Sequence, residues 1–236
     1  MLCILAAMRE EVELLLERVT VTGTEELGCG RQIYFAEYAG TVFLIAVSMI
    51  GKVNSAVTMQ YVLDRYEVDR IINIGTAGGI ASVFKKNDIM LATAAYQHDY
   101  DLGPVGGDGY KAGTISNIPK ASFSFDREMN GELSAICKGL GYTLTEGILV
   151  SGDQFISDGK KVKKLKKDFS AIACEMEGGA LIQTAALNGF KKIASIKAIS
   201  DNADENAAED FSDMTGAKEK IRDIVCRYIY KLKVES

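Results

Sequence analysis

The sequence has few of the residues on which metal centres and disulfide scaffolds depend. Its only histidine is His98, so the HExxH-type spacing of a zinc hydrolase is absent. The five cysteines are odd in number, scattered, and form no CxxC pair, which argues against a disulfide framework and against a zinc ribbon. A functional site in this chain is therefore expected to work without a metal or another cofactor.

Excess basic charge and long apolar runs are also lacking. Lys and Arg number 27 against 32 Asp and Glu, which gives a formal net charge of −5. Nucleic acids and anionic membranes attract basic surfaces, so neither is an expected partner. The N-terminal MLCILAAMREE is apolar for too few residues to cross a bilayer and lacks the basic start of a signal peptide. We expect a cytoplasmic protein with a small-molecule partner.

The chain does contain a regular alternation of apolar runs and segments of helical period. The strands are predicted at 2–7, 32–39, 41–49, 70–75, 88–96, 143–152, 170–176 and 192–200, and the helices at 9–18, 52–66, 126–139, 158–167, 177–188 and 209–233. This alternation indicates an α/β fold with a central mixed, twisted β-sheet flanked by helices. No linker or repeat divides the 236 residues, so a single domain over 1–236 is expected.

Two segments lack such periodicity. TGTEELGCGR at 22–31 is rich in turn-forming residues. Residues 98–120 are the longest aperiodic stretch and contain both prolines, Pro104 and Pro119. Because loops of this length in compact domains usually serve as lids or subunit contacts, a functional loop is predicted there.

Polar residues and glycines follow several of the predicted strands. Ligands of parallel sheets gather at the carboxyl ends of the strands, so these positions are the candidates for a site. NIGTAGGI at 73–80 either exposes backbone amides to a ligand or forms a tight turn, and its spacing is not the dinucleotide pattern GxGxxG. SMIGKVNS resembles the end of a phosphate-binding loop, but Ala46 and Val53 replace residues that such a loop requires.

Acidic residues stand at other strand ends. Asp201 in AISDNAD could cap a helix or donate a proton in a cleft. Glu11 lies on the first turn of a predicted helix, where the helix dipole favours a carboxylate in any case. Glu175 and Glu177 stand two residues apart at a predicted strand end, where we expect one to enter a ligand cleft and the other to take a structural partner. A carboxylate accepts two hydrogen bonds from a vicinal diol, which suggests a sugar site.

The chain carries six motifs in a characteristic order: AAMREEV, GKVNSA, NIGTAGGI, SGDQFI, EMEGGAL and AISDNAD. Their order and approximate spacing resemble those of the 5′-methylthioadenosine/S-adenosylhomocysteine nucleosidases, members of the nucleoside phosphorylase family. The resemblance spans nearly the whole chain. It implies a nucleoside phosphorylase/hydrolase-like fold, a homodimer, and hydrolysis of the N-glycosidic bond of 5′-methylthioadenosine, S-adenosylhomocysteine and 5′-deoxyadenosine. The products would be adenine and a 5-substituted ribose.

The resemblance also implies roles for individual residues. Asp201 corresponds to the general acid that protonates adenine N7, and Glu11 to the base that orients and deprotonates the attacking water. Glu177 matches the acid that binds the ribose hydroxyls, with Met176 packed against the sugar. These residue types suit the reaction, because loss of adenine leaves an oxocarbenium-like sugar that nearby carboxylates stabilise.

Further positions follow from the same resemblance. Phe155 corresponds to the aromatic residue that stacks on adenine, and the Ile156 backbone to the group that reads the edge of the base. The remaining substrate-binding positions are Thr76, Ala77, Gly78 and Ser200, then Met8, Ile50 and Phe211 along the 5′-thio substituent, and Leu102 and Val105 from the partner subunit. Three positions depart from the family pattern, with Lys197 in place of arginine, Thr76 in place of serine and Val105 in place of an aromatic residue.

Three other functions remain open at this point. A phosphate-dependent purine nucleoside phosphorylase would share the fold, but Asn73 stands where such enzymes carry an arginine, and Glu11 would repel phosphate. A nucleoside-binding sensor without catalysis is the second alternative. A metallohydrolase that uses His98, Asp99 and Asp101 is the third.

Overall fold

The computed structural model describes residues 1–103, 105, 110–115, 123–204, 207, 209 and 214–235. The helices are α1 (Arg9–Arg18), α2 (Lys52–Arg65), α3 (Arg127–Gly139), α4 (Gly159–Phe169), α5 (Gly178–Leu187) and α6 (Thr215–Glu235). The strands are β1 (Leu2–Ala6), β2 (Thr20–Gly28), β3 (Arg31–Tyr38), β4 (Thr41–Val47), β5 (Arg70–Asn73), β6 (Thr76–Gly79), β7 (Ile89–Gln97), β8 (Phe123–Ser124), β9 (Leu144–Ser151), β10 (Ala171–Glu175) and β11 (Ile193–Asp201).

The strands form one mixed sheet in the order β2-β3-β4-β1-β5-β11-β6-β10-β9-β7-β8. In its centre β1 runs parallel to β4 and β5, and β11 runs parallel to β5 and β6. An additional antiparallel pairing of β7 with β11 closes β11, β6, β10, β9 and β7 into a ring. The predicted α/β class with a mixed central sheet is therefore confirmed. The closure of five of its strands into a ring was not predicted from the sequence.

Helices cover both faces of the sheet, and β1 illustrates why. Every residue of this strand is buried, as expected for a central parallel strand. Ile4 packs in the core that contains Val12 of α1, whereas Leu5 packs in the core that contains Met59 of α2. Because side chains alternate between faces along a strand, a continuous apolar run supplies two cores at once.

Among the helices that the structure describes, none offers the long apolar stretch that a bilayer crossing requires.

The expectation of a turn-rich segment at 22–31 is wrong for most of its length. Residues Thr20–Gly28 form β2, an edge strand that pairs antiparallel with β3. The pairing register shifts between Val21 and Gly23 and again between Glu26 and Gly28. The side chains of β2 are exposed or only partly buried, so the apolar alternation that marks a strand in sequence is missing.

The glycine-rich 73–80 segment is also more regular than a simple turn. Thr76–Gly79 forms β6, which lies between β11 and β10. Gly75 just before it has φ of +139°, and a Cβ there would lie 2.5 Å from Glu11 Oε1. Only glycine therefore allows the backbone to pass this close to the carboxylate.

Candidate active site

A cavity of about 140 Å³ opens at the carboxyl ends of the central strands, roughly ten times the space that one buried water needs. Four of its lining residues are acids: Glu11, Glu175, Glu177 and Asp201. Its other lining residues are Ala7, Met8, Ile50, Thr76, Ala77, Gly78, Gln154, Phe155, Ile156, Cys174, Met176 and Ser200. No lysine or arginine is among these described lining residues.

The fold brings together most of the positions that the sequence suggested. Of the implied substrate-binding residues, Leu102 and Val105 do not line this cavity. Val105 is 81% exposed. Phe211 lies outside the described residues. Conversely, the roles carried over from the family leave out Gln154, which belongs to the SGDQFI motif, and Cys174, which directly precedes the EMEGGAL motif, although both residues line the cavity.

Glu11 is held at one end of the cavity by donors from two strand ends. Its Oε2 accepts hydrogen bonds from the backbone amides of Ala7 and Met8, both at 3.1 Å. Its Oε1 accepts from the amide of Thr76 at 2.9 Å and from the Thr76 hydroxyl at 3.2 Å. Four donors fix the carboxylate in one orientation, so the helix-dipole position alone does not account for this residue.

Glu175 is the structural member of the acidic pair. Its Oε2 lies 3.3 Å from Lys197 Nζ, and both side chains are almost fully buried. The same carboxylate accepts from the Ser151 hydroxyl and from the amides of Glu177 and Gly178. Burial by itself would lower the pKa of Lys197, but Glu175, with Glu11 and Glu177, raises it above its usual value. Lys197 therefore remains a cation behind the acidic lining.

Glu177 follows β10 and precedes α5. Its Oε1 accepts a hydrogen bond of 2.8 Å from the backbone amide of Gly51. Burial, reinforced by the charge of Glu175, raises the pKa of Glu177 to about 8, although Lys197 and the Gly51 amide act in the opposite direction. Burial thus disfavours the charged form of this carboxyl group, and a positive charge close to it would favour the ionised form.

Asp201 is the last residue of β11, and only 4% of it is exposed. Its Oδ2 accepts from the Ser200 hydroxyl at 2.7 Å, and its Oδ1 accepts from the Ala203 amide at 2.7 Å. Ala203 adopts φ of +54°, so the chain turns sharply after the strand. This turn directs a buried carboxyl group into the cavity.

Apolar side chains form the rim of the cavity. Phe155 is 49% exposed and Ile50 is 46% exposed, although both line the cavity. Met8 and Met176 also line the cavity and are partly buried. A flat apolar group with a few polar edges suits such a rim, because cavities that bind small molecules combine apolar walls with few polar contacts.

Asn73 lies behind the cavity wall and has no free polar atom. Its Nδ2 donates to the carbonyls of Leu5 at 3.2 Å and Ile74 at 3.3 Å, and its Oδ1 accepts from the Ser195 hydroxyl at 2.8 Å. The side chain is fully buried. It therefore ties β1 to β5 and β11 and leaves no donor for a ligand.

Two of the three residues of the metallohydrolase alternative, Asp99 and Asp101, have other partners. Asp99 Oδ1 pairs with Lys52 Nζ at 2.5 Å, and Asp101 Oδ1 accepts from the Gly103 amide at 2.7 Å. In the described part of the chain, no three His, Cys, Asp or Glu side chains come close enough together to hold a metal ion.

The chain is similar to known proteins over nearly its whole length. The family model described as Phosphorylase superfamily matches residues 1–230. The solved 5′-methylthioadenosine/S-adenosylhomocysteine nucleosidase from Neisseria meningitidis, in complex with methylthio-immucillin-A, is 30% identical, with 98% of each chain covered and a TM-score of 0.90. The Streptococcus pneumoniae nucleosidase with the transition-state inhibitor MT-ImmA is 26% identical, with 97% of each chain covered and a TM-score of 0.87.

A neighbour with a different name lies at a similar distance. The futalosine hydrolase of Helicobacter pylori is 28% identical, with 95% of this chain and 96% of that chain covered and a TM-score of 0.86. Similarity to solved structures therefore does not separate these two kinds of nucleoside hydrolase. The match over residues 1–230, together with these neighbours, shows that the chain belongs to the phosphorylase superfamily and groups there with the nucleosidases.

Proposed function

We propose that this protein hydrolyses the N-glycosidic bond of 5′-methylthioadenosine and S-adenosylhomocysteine, and also of 5′-deoxyadenosine, releasing adenine and a 5-substituted ribose. One observation carries the proposal: four carboxyl groups surround an apolar cavity whose described lining contains no basic side chain. Such a site suits a reaction that develops positive charge on the substrate. It suits the binding of a phosphate dianion poorly.

In the proposed reaction, Asp201 gives its proton to adenine N7 as the bond between C1′ and N9 breaks. The bonding electrons leave with the base, and the sugar becomes oxocarbenium-like. Water adds to C1′, and Glu11 accepts the proton that the water loses. The four donors around Glu11 support this role, because they hold the carboxylate in one position while the water approaches.

Glu177 is proposed to bind the ribose hydroxyls, with Met176 against the sugar ring. The raised pKa of Glu177 fits a reaction with a cationic transition state. Positive charge that develops on the ribose offsets the cost of burying the Glu177 carboxylate, so the attraction between the two is strongest when the barrier is crossed. Glu175 and Lys197 neutralise each other and contribute little net charge.

The rest of the proposed site recognises the base and the 5′ group. Phe155 stacks on adenine, and the Ile156 backbone bonds to the edge of the base. Thr76, Ala77, Gly78 and Ser200 contact the nucleoside, while Met8, Ile50 and Phe211 border the 5′ substituent. We further propose a homodimer in which Leu102 and Val105 of one copy complete the 5′ wall of the other, in agreement with the high exposure of Val105.

The phosphorylase alternative is disfavoured by the surroundings of Asn73. Phosphorolysis needs cationic groups that hold the phosphate. Asn73 instead supplies a buried side-chain amide whose nitrogen and oxygen are both hydrogen-bonded within the protein. Lys197 does not replace the missing cation, because it is paired with Glu175.

The sensor alternative is disfavoured because a binding site alone has no need for acids in both proton-transfer positions.

The proposal predicts a pattern across a panel of nucleosides. Purified protein incubated with 5′-methylthioadenosine, S-adenosylhomocysteine, 5′-deoxyadenosine or aminodeoxyfutalosine is expected to release adenine from at least the first two. The measurement is chromatographic identification of base and sugar, with EDTA in a parallel reaction. Saturable binding without release of base would instead identify a sensor, and activity abolished by EDTA would indicate a metal.

A further inference from the structure

Outside the cavity, three charged residues connect the segments that form its mouth. Lys52 Nζ lies 2.5 Å from Asp99 Oδ1 and 3.9 Å from Asp153 Oδ2. The backbone amide of Lys52 donates to Asp153 Oδ1 at 2.9 Å, and the amide of Asp153 donates to Asp99 Oδ2 at 2.9 Å. We refer to Lys52, Asp99 and Asp153 as the Lys52 cluster.

The Lys52 cluster is better shielded from water than an ordinary surface ion pair. The side chains of Lys52 and Asp99 are 17% and 15% exposed, whereas Asp153 is 50% exposed. Burial by itself would raise the pKa of Asp99, but the hydrogen bonds from Lys52 and the Asp153 amide hold that pKa below its usual value. For Asp99 the favourable interactions therefore outweigh the cost of burying the charge, whereas fully exposed ion pairs contribute little to stability.

Two members of the Lys52 cluster, Lys52 and Asp153, are adjacent in sequence to residues of the proposed site. Lys52 follows Gly51, whose amide donates to Glu177. Asp153 precedes Gln154 and Phe155, which line the cavity. Gly51 itself has φ of +103°, and a Cβ there would lie 3.1 Å from Asp153 Oδ1. The Gly51 backbone and the Asp153 side chain are thus packed against each other.

We propose that Lys52 is a positioning residue, which holds the Gly51 amide on Glu177 through its bonds to Asp99 and Asp153. The inference rests on the proposed role of Glu177 toward the ribose hydroxyls. Without the Lys52 ammonium, Asp99 and Asp153 are two carboxylates left close together, and their repulsion separates the segments that carry them. The Gly51 amide then moves away from Glu177, and recognition of the ribose weakens.

The test compares Lys52→Met with Lys52→Arg, which keeps the charge. The control is Lys164→Met, which removes the lysine of the exposed Lys164–Asp168 ion pair on α4. Binding of formycin A and its 2′-deoxy form, C-nucleosides that resist hydrolysis, is measured by calorimetry, and kcat and KM are measured with 5′-methylthioadenosine. Lys52→Met is expected to reduce the preference for the ribo form about tenfold or more, as for loss of a hydrogen bond to a charged group, and to raise KM more than it lowers kcat.

The remaining variants behave differently if the inference is right. Lys52→Arg is expected to restore most of the preference, and Lys164→Met to leave it unchanged. In addition, Lys52→Met combined with Asp99→Asn is expected to lose little more than Lys52→Met alone, because both act on one contact. A Lys52→Met protein that melts at a lower temperature but keeps the full ribo preference would overturn the positioning role.

The outcomes also separate this inference from the proposed function. A wild-type protein that binds formycin A but releases no adenine would refute the hydrolase and leave the Lys52 test intact through the binding data. A wild-type protein that hydrolyses nucleosides without any preference for the ribo form would refute the role of Glu177 and the inference with it, and would leave the hydrolase intact. Failure to bind either C-nucleoside, together with no release of adenine, would refute the proposed nucleoside site and the inference with it.

Discussion

Asp201→Asn is expected to lower the turnover of 5′-methylthioadenosine by a factor of about 10²–10⁴, the usual contribution of a general acid. Binding of formycin A should change far less, because the proton matters mainly as charge develops on the leaving base. Asp201 Oδ1 accepts a hydrogen bond of 2.7 Å from the Ala203 amide. The side-chain oxygen of asparagine can accept the same hydrogen bond. The turn after β11 should therefore survive the substitution. The transferable proton is lost, and the Ser200 hydroxyl, which donates to Asp201 Oδ2, would have to accept from the asparagine amide instead.

A matched control for this substitution is available three residues further on. Asp204 is partly buried and does not line the cavity, so Asp204→Asn should retain nearly all turnover. Single-turnover kinetics of both variants, with melting temperatures to verify folding, provide the comparison. If Asp201 served only as a cap, its replacement by asparagine would be nearly silent, since asparagine caps about as well as aspartate. More than about a tenth of wild-type turnover in Asp201→Asn would rule out the acid role.

Glu177→Gln is expected to reduce kcat/KM for 5′-methylthioadenosine by about 10- to 100-fold, the range for loss of a hydrogen bond to a charged group. The same substitution should cost a 2′-deoxy substrate much less, because that substrate lacks one of the hydroxyls that Glu177 binds. Glutamine can still accept the 2.8 Å hydrogen bond from the Gly51 amide through its oxygen. The change therefore isolates the charge from the local structure.

Comparison of the two substrates distinguishes the proposed role from a structural one. A folding defect would reduce both rates by similar factors, and equal losses would mean that Glu177 has another function. Glu146→Gln serves as the control, because it makes the same chemical change on β9 at an exposed position away from the cavity. Its rates with both substrates should equal those of the wild type.

Much of the scaffold could be predicted from local sequence because its strands are buried on both sides. The apolar run at 2–7 corresponds to β1 (Leu2–Ala6) and the segment at 192–200 to β11 (Ile193–Asp201), each within one residue. Helix α1 was predicted at its observed bounds, 9–18. In these elements the residues that form the core are contiguous or regularly spaced, so a local pattern contains the information.

Elements that depend on distant partners were not predictable in this way. Strand β2 exposes most of its side chains and is defined by pairing with β3, so its sequence shows only turn-forming residues. Strand β6 is rich in glycine and exists because β11 and β10 lie on either side of it. In both cases backbone pairing in the folded sheet prevails over weak local preference.

The candidate site shows the same division. The strand-end motifs identified Glu11, Glu177 and Asp201, since the ends of parallel strands meet at one edge of a sheet. The ion pair of Lys197 with Glu175 could not be foreseen, because a lysine within an apolar strand gives no indication of its partner. The Lys52 cluster could not be predicted either, because its hydrogen bonds join residues that are separated in the chain by 47 and by 101 positions.

The most direct test of the central claim is the dependence of adenine release on phosphate. Initial rates with 5′-methylthioadenosine are measured in a phosphate-free buffer and again with added inorganic phosphate, and the sugar product is identified by mass. The absence of lysine and arginine from the described cavity lining predicts equal rates and free 5-methylthioribose in both buffers. An absolute requirement for phosphate, with a ribose 1-phosphate as the product, would contradict the account.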